Sequence, residues 1–189
     1  MNAVDELLRT KGLEAVTLRE CARIAGVSHA APRHHFADHH ALLSAYVAEQ
    51  WIRVADLMQT RRSEAGANPF DALTAVGLAY IESGMRTPGL FGLLLRPDLC
   101  PRPGTEAFNL GAGPAYEQLV DAVKRCTGGS DRDGALVELA WSSVHGFVEL
   151  QLLMRVTDWE AKARAMLQQL RAVFVNSQAE APAPHQASG

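Results

Sequence analysis

A chain of 189 residues with 48% apolar content can bury a substantial core, which excludes an intrinsically disordered protein. No apolar run reaches the length of about 18 residues that a membrane-spanning helix needs. The first residues carry Asp5 and Glu6 rather than an apolar signal core, so a cytoplasmic protein without a membrane partner is expected. The net charge of −3 argues against a broadly polyanion-binding surface, and residues 1–46 do not change this: Arg9, Lys11, Arg19, Arg23 and Arg33 are balanced by Asp5, Glu6, Glu14, Glu20 and Asp38. Any contact with nucleic acid therefore has to come from local geometry.

The pattern along the chain is helical throughout, with no alternating β-branched runs. A first helix is expected over residues 2–11, with Val4, Leu7 and Leu8 on one face and Gly12 as its stop. Thr17-Leu-Arg-Glu20 reads as a capping box, with the Thr hydroxyl taking one free amide and Glu20 reaching back to another. The second helix ends at Gly26, and a third runs from the N-cap residue Ser28 to about His35. Asp38 caps a fourth helix reaching about Arg62, and Ala65-Gly-Ala-Asn-Pro69 breaks the chain. Helices follow over about 70–86, 90–95, 114–126, 132–156 and 158–177. Arg96–Gly104, with three prolines, is a loop; Gly128-Gly129-Ser130-Asp131 closes one helix and caps the next; the tail 179–189 has no periodic apolar face and is expected to be disordered.

Leu18 to Phe36 has the layout of a helix-turn-helix. Ala22 is small where two helices would cross, and Gly26, four residues on, permits the turn. Val27 is expected to plug the space between the helices, with Leu18, Ile24 and Phe36 completing the buried face. His29, Arg33 and His34 then fall on the outward face of the third helix, where this motif reads base edges. An ordinary helical hairpin in a bundle would have the same spacing, although its outer face would more often mix Glu and Lys at stabilising intervals.

Thr17-Leu-Arg-Glu-Cys-Ala-Arg-Ile-Ala-Gly-Val-Ser28, then His34-His-Phe36 and Ala41-Leu-Leu43, resembles the DNA-binding domain of TetR-type regulators. Trp141-Ser-Ser-Val-His-Gly146 resembles, more weakly, the signature of the Trp-His-Gly sensor subgroup. The resemblance implies that Thr17 and Arg19 hold a DNA phosphate at a helix N-terminus. It also implies that Ser28, His29, Ala30 and Arg33 face the major groove, and that one of His34 and His35 touches the backbone. The sequence departs from the family pattern at Pro32, inside the recognition helix; at Arg33, where Tyr is common; at His39, which replaces the usual Lys at the start of the next helix; and in a short first helix.

Other chemistry is poorly supported. His35 and His39 have the four-residue spacing of a metal pair, but Phe36-Ala-Asp38 breaks the helix between them, and no metal or other cofactor is expected. Cys21, Cys100 and Cys126 form no CxxC pair and read as reduced thiols; a redox pair of Cys100 with Cys126 is the alternative. No catalytic motif is present, so no enzyme is expected.

The reading is an all-α protein with a helix-turn-helix head at 1–46 and a helical ligand-binding and dimerisation domain at 47–178. It is expected to be a homodimer whose grip on operator DNA is released by a small, mainly apolar effector. The ligand site is expected near Tyr80, Met85, Phe91, Phe108, Trp141 and His145, with His145 either a polar anchor or a satisfied core histidine, Gly146 allowing close helix approach, and residues 96–104 as a cover. The alternative is a helical ligand-binding or scaffold protein with a degenerate head.

Overall fold

The computed structural model describes residues 1–100, 105–129 and 134–179. Among them the fold is all-α: α1 (Asn2–Lys11), α2 (Leu18–Ala25), α3 (His39–Glu64), α4 (Pro69–Arg86), α5 (Pro88–Leu94), α6 (Glu106–Leu110), α7 (Gly113–Thr127), α8 (Ala135–Leu153) and α9 (Trp159–Ala179), with 3-10 turns at Leu13–Ala15 and Ala31–His34. No helix among the described residues is long and apolar enough to cross a membrane.

Local chemistry accounts for most boundaries. The Thr17 hydroxyl accepts from the Glu20 amide at 3.1 Å and starts α2. Gly26 ends it at φ 67°, with the Val27 amide donating to the Ala22 carbonyl at 3.0 Å, so that both closing bonds of a Schellman turn form. Asp38 accepts from the Ala41 amide at 2.8 Å and starts α3. Asn68 caps α4 through Phe70.

Packing centres on α4, which touches α3, α5, α7, α8 and α9. Gly77 and Gly84 permit this. A Cβ at Gly84 would lie 2.6 Å from Val148 on α8 and 2.8 Å from the Phe91 ring, and one at Gly77 would lie 2.7 Å from Leu167 on α9. At its N-terminal end α4 is also tied to α9, where Arg171 pairs with Asp71 at 2.6 Å and lies over the Phe70 ring.

Several expectations need correction. The third helix is not an α-helix. Pro32 has no amide to donate to Ser28, so the Ser28 carbonyl takes the Ala31 amide at 3.0 Å and the segment tightens into the 3-10 turn. Val27 is 48% exposed rather than a plug, because no recognition helix lies across it. Glu20 does not complete a capping box; its carboxylate pairs with Arg23 at 3.0 Å and Lys11 at 4.0 Å. Gly146 does not serve helix approach inside the chain, since a Cβ there would meet nothing within 4 Å. Helix α6 was not expected, and α8 stops at Leu153, where Arg155 takes φ 53°. The expected caps Ser130 and Asp131 and the tail 180–189 lie outside the described residues.

Candidate functional site

Two places in the fold can contact a partner molecule. The first is the outer surface of the head. Thr17, at the start of α2, and Arg19, one residue into it, are exposed, and with His39 they line one shallow cleft. Arg96, which arrives from the turn after α5, lines the same cleft. Ser28 caps the following turn, accepting from the Ala31 amide at 3.2 Å. His29, Ala30, Arg33, His34 and His35 are all exposed around that turn, and the Arg33 side chain makes no hydrogen bond or ion pair among the described residues. The surface therefore collects guanidinium and imidazole groups that are free to meet an acceptor, supported by the α2 N-terminus. Among the described residues no group of three or more His, Cys, Asp or Glu converges as a metal site would require.

The second place is an apolar cavity of about 80 Å³ enclosed by α3, α4, α6, α7, α8 and α9. Among the described residues no carboxylate, amine or guanidinium lines it. Of the six sequence-derived ligand residues, Tyr80, Phe108 and Trp141 line this cavity, while Met85, Phe91 and His145 do not. His145 stands behind the wall: its Nδ1 lies 3.0 Å from the Tyr80 hydroxyl, and its ring packs 5.3 Å from that of Phe91. Burial lowers the pKa of His145, with Glu149 opposing the shift, so the imidazole is neutral at pH 7. Burial also pushes the Tyr80 phenol up, so it stays protonated and can donate.

Trp51 and Cys100 are among the cavity residues that were not anticipated. Trp51 on α3 lines the cavity and donates its indole N–H to the Leu94 carbonyl at 3.3 Å, tying the wall to the end of α5. Cys100 lines it from the turn that follows, and burial raises its thiol pKa. Of the segment expected as a cover, residues 96–100 form that turn and residues 101–104 lie outside the described residues. The turn also reaches the head. Arg96 and Asp98 form a two-bond pair at 3.0 and 2.7 Å, and the Asp98 carbonyl accepts from His40 Nε2 at 2.8 Å in the first turn of α3. Helix α3 and this turn thus connect cavity and head. No spacing could reveal a contact between positions 40 and 98, which depends on where α5 ends in space.

The family model described as "Tetracyclin repressor-like, C-terminal domain" matches residues 73–174, more than half of the chain. Among solved structures, a protein of unknown function from Rhodococcus sp. RHA1 has a TM-score of 0.75 at 22% identity, covering 92% of this chain and 90% of that one. The TetR family transcriptional regulator PfmR from Thermus thermophilus has a TM-score of 0.62 at 20% identity, covering 90% and 95%. The fatty acid degradation regulator FadR from Bacillus halodurans has a TM-score of 0.58 at 15% identity, also covering 90% and 95%. No curated protein matches the chain in sequence. The structural likenesses carry the fold, the family model carries the membership, and the chain belongs to the TetR-type family of transcriptional regulators.

Proposed function

We propose that this regulator is a dimeric repressor that grips operator DNA with residues 1–46 and lets go when a small, uncharged, mainly apolar ligand enters the body, residues 47–178. The apolar cavity carries the reading. It is walled by α3, and α3 begins in the head, so whatever enlarges the cavity acts on the helix that positions the DNA-facing turn. At about 80 Å³ the cavity is far below the roughly 300–1,000 Å³ of ordinary ligand sites. A ligand therefore selects a wider form, and its preference for that form over the present one sets how far operator binding falls. An ionised ligand would lose its hydration without finding a counter-charge, which restricts the class to neutral molecules.

On the head, Arg33 reads a guanine or clamps a phosphate; Ser28, His29 and Ala30 line the groove with it; and Thr17, Arg19, His34, His35 and His39 hold the backbone. The dimer forms through α8 and α9. Leu139, Leu150 and Leu153 fall on one stripe of α8 and are exposed, and α9 adds exposed Val173 and Val175. Gly146 lies on the same stripe with open space above it, which suits a close crossing with the helix of a second copy.

Fluorescence anisotropy with DNA from the gene's own promoter tests the reading. Salt-sensitive, sequence-selective binding that weakens on adding an apolar compound found by thermal-shift screening is the expected result. Absence of DNA binding by a folded dimer would favour the second reading, a helical ligand-binding protein with a degenerate head. The 3-10 turn in place of a recognition helix is the observation on that side.

A further inference from the structure

The chain holds three Trp, three Tyr and six Phe, and five of these rings line the apolar cavity. They come from five different helices, so no single helix face accounts for the gathering: Trp51 from α3, Tyr80 from α4, Phe108 from α6, Tyr116 from α7 and Trp141 from α8. The rings form two groups. Trp51 and Tyr80 stack at an interplanar angle of 30°, with centroids 6.4 Å apart. Phe108, Tyr116 and Trp141 form a chain of inclined pairs at 6.4 and 5.3 Å. Among the described residues no ring of one group pairs with a ring of the other, although the Trp141 indole lies beside the Tyr80 hydroxyl. Rings that served only as core would close on one another at the centroid separation of about 4.5–7 Å that aromatic pairs favour. The walls are also held from behind. The Trp51 indole N–H donates to the Leu94 carbonyl, the Tyr80 hydroxyl meets His145 Nδ1 at 3.0 Å, and Phe91 packs edge-on against Tyr80 at 6.1 Å. With these polar ends occupied, what faces the cavity is ring carbon.

We infer that the ligand of this cavity is a neutral aromatic molecule, whose ring enters between the two groups and pairs with both. The inference rests on the reading of the cavity as the ligand site and narrows it from apolar molecules in general to aromatic ones. An aliphatic ligand gains only from the removal of its surface from water. An aromatic ring gains that and, in addition, edge and face contacts with rings already fixed on each side, each worth about two- to tenfold in affinity. Size agrees with this class. A cavity of about 150 Å³ with apolar walls takes up benzene, so a single ring is what a modest widening of the present 80 Å³ admits.

Benzyl alcohol and cyclohexylmethanol test the inference. They differ in the ring alone, and the cyclohexyl compound is the more hydrophobic, so burial by itself favours it. The affinity of the full chain for each, without DNA, is read from tryptophan fluorescence, because Trp51 and Trp141 are cavity walls. Saturable binding of benzyl alcohol, tighter than that of cyclohexylmethanol, is the expected result. Phe108→Leu keeps an apolar wall and removes one ring; it is expected to lower the ratio of the two affinities about fivefold by weakening benzyl alcohol alone. Should circular dichroism find that variant unfolded, Tyr116→Leu carries the same expectation. Equal or tighter binding of cyclohexylmethanol by the wild type would overturn the aromatic class and leave an apolar-ligand site standing. No saturable binding of benzyl alcohol would overturn the inference too, as would an unchanged ratio in the folded variant, which places the ligand away from these rings. Because no DNA is present, whether the head grips an operator is left to its own experiment.

Discussion

In the body, α4 approaches α8 so closely that a single methyl group on Gly84 would collide with Val148 and Phe91; in the head, six consecutive residues, 25–30, are exposed, Val27 among them. The difference lies in what closes each region. The body is closed by its own side chains, with Ile81, Val123, Val148, Ala163 and Phe174 fully buried. The head is closed on one side only, where Val4, Leu7, Val16, Ala22 and Tyr46 meet, and its other side ends in a short turn held by i to i+3 bonds. A surface finished in this way has few internal contacts to set its shape, so a bound partner can set it at low cost. The outer side of the head is therefore held by few internal contacts, whereas the body is held by its own buried side chains.

The sharpest way to break this comparison is to show that the body, too, is incomplete alone. Leu150 and Leu153 are 55% and 79% exposed on the α8 stripe, an apolar face that a self-sufficient body has no reason to present. Leu150→Glu is expected to abolish dimerisation, because a carboxylate would be buried without a partner at the crossing. Analytical ultracentrifugation should find a folded chain of 20.5 kDa where the wild type has twice that mass. A wild-type monomer at micromolar concentration, or a variant that still dimerises, places the interface elsewhere.

The next effect belongs to the head. Arg33→Ala is expected to weaken operator binding by about 1–3 kcal/mol without altering the folded state, since the side chain touches nothing that holds the turn together. If Arg33 reads a guanine, one operator position relaxes; if it clamps phosphate, binding weakens evenly and the salt slope falls. Anisotropy titrations at several salt concentrations separate the two, and unchanged affinity removes Arg33 from the interface.

These regions were also unequally legible in the sequence. Caps carry their signal locally, and Thr17, Gly26, Ser28 and Asp38 do in the structure what their types and spacing suggest. The regular recognition helix failed because one local signal, the run of helix-compatible residues, was overruled by another, the missing amide of Pro32. In the body the aromatic residues were legible as apolar, but of those expected at a ligand only Tyr80, Phe108 and Trp141 are walls of the cavity. Trp51 lines the cavity although the ligand was expected near Tyr80 to His145, and His145, expected as either a polar anchor or a satisfied core histidine, lies one layer behind the wall. Which side of a buried helix faces a void depends on every neighbour at once, and no single periodicity contains it. Gly146 was expected to allow close helix approach, but a Cβ there meets nothing within 4 Å, because which side of a helix faces a neighbour depends on space that only the fold defines.

Two glycines turn this into a measurement of smaller size. Gly84→Ala gains helix propensity but drives a methyl group into Val148 and Phe91, and is expected to destabilise by about 1–3 kcal/mol. Gly146→Ala, placed in the Leu150→Glu background so that no second copy covers it, meets nothing and is expected to stabilise by about 0.5–1 kcal/mol. Urea denaturation of the two proteins should move their midpoints in opposite directions. Equal shifts would mean that the close approach of α4 to α8 relaxes freely, and the contrast between a rigid body and a soft head would lose its main support.

The smallest expected effect concerns the layer behind the cavity wall. His145 is held against the Tyr80 hydroxyl and the Phe91 ring, and burial keeps its pKa below the ordinary 6.5, with Glu149 on the same helix acting in the other direction. The unfolded chain therefore binds a proton at His145 more readily than the folded chain does. Between the folded pKa and 6.5 the unfolded state carries the larger number of protons, so stability rises with pH across that window and is lost as the pH falls through it. Below the folded pKa both states are protonated and the loss is complete. Melting temperatures measured from pH 5 to 8 should thus fall more steeply on acidification for the wild type than for His145→Gln, which keeps a hydrogen-bonding group beside Tyr80 but cannot titrate. Parallel profiles would show that the imidazole is not buried as drawn, and that the body is as open behind its cavity as the head is across its turn.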